Sequence, residues 1–241
     1  MRTYGIVGAM DIEVDTVISR MTEMDVKEIA RRQFYTGKLD EHNVVVVKSG
    51  IGKVAAATTV QLLIDHFPID AIINTGMAGG LDPRLQVKDL VVSTGAVQHD
   101  FDLTPFGHAL GYMDGPDDQK PTVFPINEGL LAAAREVAMQ FLPEGNNTLT
   151  GIIASGDVFV DSTERKEHIV HHFSPIATEM EGAAIAQVAR DNRMPCLILR
   201  VVSDLAEHQA NLSFLDLEAY CGRLVGDLIP AIIRCAEKHE L

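Results

Sequence analysis

Positive charge is in short supply in this chain: 20 Lys and Arg stand against 34 Asp and Glu, a formal net charge of −14. A surface of that sign repels phosphate backbones and anionic lipid heads, so no nucleic-acid and no membrane partner is expected. Cysteine is sparse as well. Cys196, Cys221 and Cys235 form no C-x-x-C pair, and three thiols cannot all pair within one chain, which points to a reducing compartment. No apolar run approaches the length of a membrane span and no basic-then-apolar leader precedes the first strand, so a cytoplasmic location is expected. Repeats and low-complexity segments are missing too.

Three cofactor and metal signatures begin and then fail. Ser49-Gly50-Ile51-Gly52-Lys53-Val54 starts like a phosphate-binding loop. The upstream Gly that such a loop needs falls at Val47, and the Ser/Thr after Lys falls at Val54. Gly5-Ile6-Val7-Gly8 starts like a dinucleotide fingerprint. It lacks the third Gly, and the chain turns acidic (Asp11, Glu13, Asp15) where a pyrophosphate needs a positive pole. His99, His108, His171 and His172 have no metal-ligand spacing. No cofactor and no metal are expected.

What is present suits an α/β domain. Hydrophobic residues make up 46% of 241, enough for a continuous core, and the expectation is a single domain over 1–241. Short Val- and Ile-rich runs predict strands over Tyr4–Gly8, Val44–Ser49, Ala71–Thr75, Asp89–Ser93, Thr150–Ala154, Ile176–Glu179 and Cys196–Val202. Their lack of clean alternation fits strands buried on both faces. Helical patterns lie between them, over Glu13–Met21, Lys53–His66, Asn127–Gln140, Glu164–His171, Met180–Asn192 and Phe214–Lys238. In the second, Val54, Ala57, Val60, Gln61 and Ile64 keep a helical spacing. Strand-then-helix order predicts a three-layer α/β/α fold on a central mixed β-sheet. Gly76-Met77-Ala78-Gly79-Gly80 reads as a strand-to-helix turn, and Asp100–Pro125, rich in Gly and Pro, reads as a functional or interface loop.

Three carboxylates stand beside buried-looking strand ends: Glu13, Glu181 in Glu179-Met180-Glu181-Gly182, and Asp204 in Arg200-Val201-Val202-Ser203-Asp204. Each has a plain structural explanation. Glu13 suits the first turn of a helix, Glu181 a helix start and Asp204 an N-cap. Together, at the C-terminal strand ends where α/β sheets place ligands, they suit one kind of chemistry. A leaving group needs a proton, a cation-like sugar needs steadying and a water needs deprotonating. That combination is N-glycosidic bond cleavage.

Seven segments, in order, resemble the bacterial 5'-methylthioadenosine/S-adenosylhomocysteine nucleosidases of the nucleoside phosphorylase/hydrolase superfamily. They are Ile6-Val7-Gly8-Ala9-Met10 with Glu13, Lys48-Ser49-Gly50-Ile51-Gly52-Lys53-Val54-Ala55-Ala56-Ala57, Ile73-Asn74-Thr75-Gly76-x-Ala78-Gly79-Gly80, Ser155-Gly156-Asp157-x-Phe159, Glu179-Met180-Glu181, Ser203-Asp204 and Leu212-Ser213-Phe214. The resemblance implies a nucleoside phosphorylase-like fold and hydrolysis of adenosine thioethers, as in methionine salvage. It implies that Asp204 protonates adenine N7 with Ser203 holding its carboxyl, that Glu181 binds the ribose hydroxyls, and that Glu13 takes a proton from water with Arg200 nearby. Phe159 would stack on adenine beside the Val160 backbone, and Met180 would lie against ribose. Met77, Ala78, Gly79 and Glu179 would add substrate contacts. Met10, Ile51, Phe214 and Leu103 or Phe106 would surround the 5' group. The last two would come from the long loop of a second subunit in a homodimer.

One departure bears on mechanism: Met77 stands where the family has Ser, so a hydroxyl near the attacking water is replaced by a thioether. Phe106-Gly107-His108-Ala109-Leu110 also departs from the commoner aromatic-rich form. Two alternatives stand beside hydrolysis: phosphorolysis of a purine nucleoside, and a nucleoside-binding module without catalysis. Among methylthioadenosine, S-adenosylhomocysteine, 5'-deoxyadenosine and a futalosine-type nucleoside, the sequence does not choose.

Overall fold

The computed structural model describes residues 2–143, 145–206 and 214–241, and of residues 214–216 the backbone path alone. Among the described residues, ten strands form one mixed sheet: β1 (Thr3–Gly8), β2 (Thr22–Ile29), β3 (Arg32–Leu39), β4 (His42–Lys48), β5 (Ala71–Gly80), β6 (Leu90–Gln98), β7 (Phe124–Pro125), β8 (Thr148–Ser155), β9 (Ala177–Glu179) and β10 (Cys196–Asp204). The helices are α1 (Asp11–Ser19), α2 (Lys53–His66), α3 (Glu128–Phe141), α4 (Thr163–Phe173), α5 (Gly182–Asp191) and α6 (Phe214–Ala236).

The sheet has a centre and a wing. In the wing, β1 pairs parallel with β4, which continues antiparallel to β3 and β2. In the centre β5 pairs with β10, β10 with β6, β6 with β8, β8 with β9, and β9 returns to β5. The central strands therefore close on themselves. Val, Ile and Leu side chains are buried on both faces in wing and centre alike, as the unbroken run Val44, Val45, Val46 and Val47 in β4 and Leu197, Ile198 and Leu199 in β10 illustrate. Apolar helix faces cover them; α5 alone buries Ala183, Ala184, Ile185, Ala186 and Ala189.

Strands β2, β3 and β5 and helix α2 differ from expectation. β2 and β3 carry no apolar run and were not anticipated: nearly all of β2 is exposed, and backbone pairing to β3 defines it. α2 spans the predicted residues, but its buried stripe is Ala56, Thr59, Val60 and Leu63, while Val54 faces outward. β5 does not end at Thr75. It runs on to Gly80 because β10 pairs with it from Ile72 to Gly79, so the glycine-rich segment is strand and not turn.

That extension positions the site. The C-terminal ends of β1, β4, β8, β9 and β10 converge on the second half of β5, where Arg200 of β10 lies opposite Gly76 and Asp204 opposite Gly79. The 100–125 loop leaves β6 on the same side, with a short 3-10 turn at Thr104–Phe106.

Candidate active site

Glu13 lies in the first turn of α1, immediately after β1, and is 4% exposed. One carboxylate oxygen accepts the N–H groups of Ala9 (2.6 Å) and Met10 (3.0 Å), and the other accepts that of Met77 in β5 (3.1 Å). Close backbone approach makes this possible. A Cβ on Gly76 would sit 2.6 Å from Glu13 Oε1 and 3.1 Å from Arg200 Nη1, so only glycine fits there. Burial pushes the Glu13 carboxyl above the ordinary range, against the pull of the Arg200 charge and the three N–H donors.

Beside it stands a buried ionic frame. The Arg200 guanidinium, 1% exposed, donates through Nε (3.1 Å) and Nη2 to Glu179, and through Nη2 to the Asn74 side-chain oxygen (2.7 Å). Asn74 is itself fixed by donating to the Val7 carbonyl at 2.9 Å. Glu179 also accepts from the Ser155 hydroxyl and from the N–H groups of Glu181 and Gly182. Burial opposes its ionisation, but the Arg200 charge and these donors outweigh it and hold the carboxyl below the usual range. All of Glu179's acceptor capacity is thus directed into the protein.

Glu181 is left by this frame with fewer partners than Glu179. It accepts one N–H, from Gly52 at 2.9 Å, and its other oxygen lies 3.8 Å from Arg200. Burial and the neighbouring Glu179 charge lift it to about 7. Two adjacent glutamates in one sequence motif are therefore driven apart: Glu179 stays ionised, and Glu181 gains and loses its proton near neutral pH.

Asp204 ends β10, half-buried. The Ser203 hydroxyl lies 2.7 Å from its Oδ2 and 3.2 Å from the Ala78 carbonyl oxygen, and the Ala206 N–H donates to Oδ1 at 2.7 Å. A Cβ on Gly79 would lie 3.1 Å from Oδ1, so that glycine gives the carboxyl its room.

The structure brings together Glu13, Glu179, Glu181, Arg200, Ser203 and Asp204 around Met77, Ala78 and Gly79. Met10 and Met180 are half-buried at its edge, and Val160 is buried. A wide cleft of about 680 Å³ opens beside Met10 and Ile51, continuing past Lys48 to Glu218. Ile51, Phe159 and Phe106 are 59%, 67% and 78% exposed, and Leu103 is half-buried. Among the described residues, none wraps these into a closed pocket. The Phe214 side chain, with Leu212 and Ser213 of the same motif, lies outside the described residues. Met77 approaches Glu13 through its backbone N–H, while its half-buried side chain packs against the main core. Sequence reasoning missed Asn74, Ser155 and Gly52 as supports of the carboxylates. A polar Asn inside the apolar strand Ala71-Ile72-Ile73-Asn74 was the available signal for the first.

The chain is similar to known proteins along most of its length. The sequence pattern of the phosphorylase superfamily matches residues 3–233. A 5'-methylthioadenosine/S-adenosylhomocysteine nucleosidase of Psychromonas ingrahamii is 42% identical over 211 residues, covering 87% of this chain and 89% of the relative. The crystal structure of the nucleosidase of that name from Neisseria meningitidis, in complex with methylthio-immucillin-A, superposes with a TM-score of 0.89 at 36% identity, covering 97% and 99% of the two chains. The Colwellia psychrerythraea nucleosidase, in complex with adenine, also gives 0.89 at 36% identity, over 97% of this chain and 95% of that one.

Proposed function

This chain belongs to the 5'-methylthioadenosine/S-adenosylhomocysteine nucleosidase family of the phosphorylase superfamily, and on that premise we propose how its residues cleave the N-glycosidic bond of adenosine thioethers. Adenine and a 5-substituted ribose are the products, with water as the acceptor. The C1'–N9 bond breaks with its electron pair going to adenine. Asp204 gives its proton to N7 so that the base leaves neutral, and Ser203 holds the carboxyl in place. Glu181, ionised, accepts hydrogen bonds from the ribose hydroxyls and steadies the oxocarbenium-like sugar. Glu13 takes a proton from the water that bonds to C1'. Arg200 and Glu179 hold these carboxylates in register from behind.

The observation that carries hydrolysis over phosphorolysis is the place of Glu13. Three backbone N–H groups, of Ala9, Met10 and Met77, converge on one point between β1 and β5, as they would on a bound anion. The chain fills that point with its own carboxylate. A phosphate dianion would find its donors taken and a like charge in their place. The binding-only alternative leaves unexplained why Glu13, Glu179 and Glu181 are buried to hold a neutral nucleoside.

Phe159 stacks on adenine with the Val160 backbone at its edge, Met180 lies against ribose, and Met10 and Ile51 face the 5' group. Leu103 and Phe106 complete the 5' pocket of a second copy, for which the exposure of Ile51, Val54 and Phe106 is the support. One continuous sheet from Thr3 to Asp204 supports a single domain. A cytoplasmic place suits three free thiols.

Asp204→Asn tests the mechanism. The variant should keep its circular-dichroism spectrum and lose adenine release from methylthioadenosine by roughly 10²–10⁴-fold, the usual contribution of a general acid. Turnover within a few-fold of the parent would remove Asp204 from the reaction.

A further inference from the structure

The turn that supports Glu181 is held from outside the site. β4 ends at Lys48, and α2 starts at Lys53 with Gly52 as its N-cap, at φ +96°, a conformation that glycine adopts at little cost. Gly52 donates its N–H to Glu181 (2.9 Å). As glycine it has no side chain to cap the helix. Asp157, from the loop after β8, does so instead, accepting the Lys53 N–H at 2.7 Å; a Cβ on Gly52 would come within 2.9 Å of that same oxygen.

Asp157 is fixed in turn. Its N–H donates to Asp100 Oδ2 (2.8 Å), and Asp100 Oδ1 accepts Lys53 Nζ at 2.5 Å. Lys53 Nζ also reaches Gln98 Oε1 at 2.9 Å, and Gln98 donates to Gln187 at 2.8 Å. Lys53, Asp100 and Asp157 thus close a ring across three distant segments. The Lys53–Asp100 ion pair is largely shielded from solvent, with side-chain exposures of 16% and 23%. Asp100 also opens the 100–125 loop.

We propose that Asp157 is a positioning residue for Glu181: by holding the Lys53 N–H, it keeps the turn before α2 where the Gly52 N–H meets the Glu181 carboxylate. The proposal rests on the reading of Glu181 as the carboxylate that binds the sugar hydroxyls. Its physical content is directional. The Gly52 N–H favours the ionised form of Glu181, so releasing the turn removes a donor from the anion the sugar needs.

The test compares Asp157→Ala, Asp157→Asn and Glu181→Gln with the parent, using methylthioadenosine, at a temperature where each is folded. Asp157→Ala should lose about 10- to 100-fold in kcat/KM, the worth of one hydrogen bond to a charged group. The acid limb of its pH profile should move to higher pH. Asp157→Asn keeps the accepting oxygen and should recover most of the rate and the parent profile. If Asp157→Ala does not fold, Asp157→Ser, with a shorter accepting side chain, takes its place with the same expectation. A lowered melting temperature with unchanged kcat, KM and pH profile would mean that Asp157 only caps α2, and would overturn the proposal. If Glu181→Gln also works at the parent rate, the reading of Glu181 itself fails; if Glu181→Gln is impaired and Asp157→Ala is not, the positioning role alone fails.

Discussion

Glu179 and Glu181 are two residues apart and face one arginine, yet they do opposite work. Glu179 takes Arg200, Ser155 and two backbone N–H groups, while Glu181 is left with Gly52 and the more distant edge of the guanidinium. The consequence is measurable in stability. With its proton held to about 7, against 4.5 for a free glutamate, Glu181 makes the folded state bind a proton that the unfolded state has lost. Its contribution therefore destabilises the fold as pH rises through the window from about 4.5 to about 7, by on the order of 3 kcal/mol at the upper end. Glu181→Gln removes the titration. Its melting temperature should gain on that of the parent from pH 5 to about pH 7 and level off above that, and a pH-independent difference would contradict this. In the proposed mechanism, where ionised Glu181 steadies the sugar, the same titration gives activity an acid limb near pH 7. At this scale the sequence was informative about acidic residues and silent about their division of labour. Spacing placed Glu13, Glu181 and Asp204 correctly beside strand ends. Nothing in Glu179-Met180-Glu181 said which glutamate would be consumed by a buried arginine, because the partners come from β5, β8 and β10.

β5 is the element on which the site is strung. Gly76 admits Glu13 and Arg200, Met77 supplies an N–H, Ala78 a carbonyl and Gly79 the space for Asp204. Reading this stretch as a turn was the natural error. Glycines interrupt strands when no side chain is needed, and here close approach by carboxylates takes the side chain's place. The correction changes what Met77 is expected to do. Its side chain packs against the core, and only its backbone faces the carboxylate. Met77→Ser should therefore lower stability by about 1–3 kcal/mol, the range for shortening a partly buried side chain, without raising the rate of adenine release. A faster variant with an unchanged melting temperature would show that a hydroxyl at 77 reaches the attacking water. The edge strand β2 was illegible for a different reason: exposed on both faces, it carries no hydrophobic period, and backbone pairing with β3 is its whole definition. α2 was read from a helical spacing of apolar residues, although the stripe it buries, Ala56, Thr59, Val60 and Leu63, is a different one, set by packing.

At the scale of the molecule, the apolar side chains Ile51, Val54, Phe106 and Phe159 are all exposed in the single chain. A second copy placing its 100–125 loop there would bury them and close the 5' pocket. Sedimentation at micromolar concentration should give a mass near twice 26.2 kDa, and a fully active monomer would reject the shared pocket. The net charge of −14 acts at the same scale, adding a long-range repulsion of anions to the local one from Glu13. Both bear on the central claim that water, not phosphate, is the acceptor. The most direct measurement is adenine release from methylthioadenosine by the purified protein, in phosphate-free buffer and again with phosphate in large excess, with phosphorus NMR of the products. Equal rates in the two buffers, and a free sugar with no sugar phosphate, are predicted. Adenine release that depends on phosphate and yields a sugar 1-phosphate would contradict it.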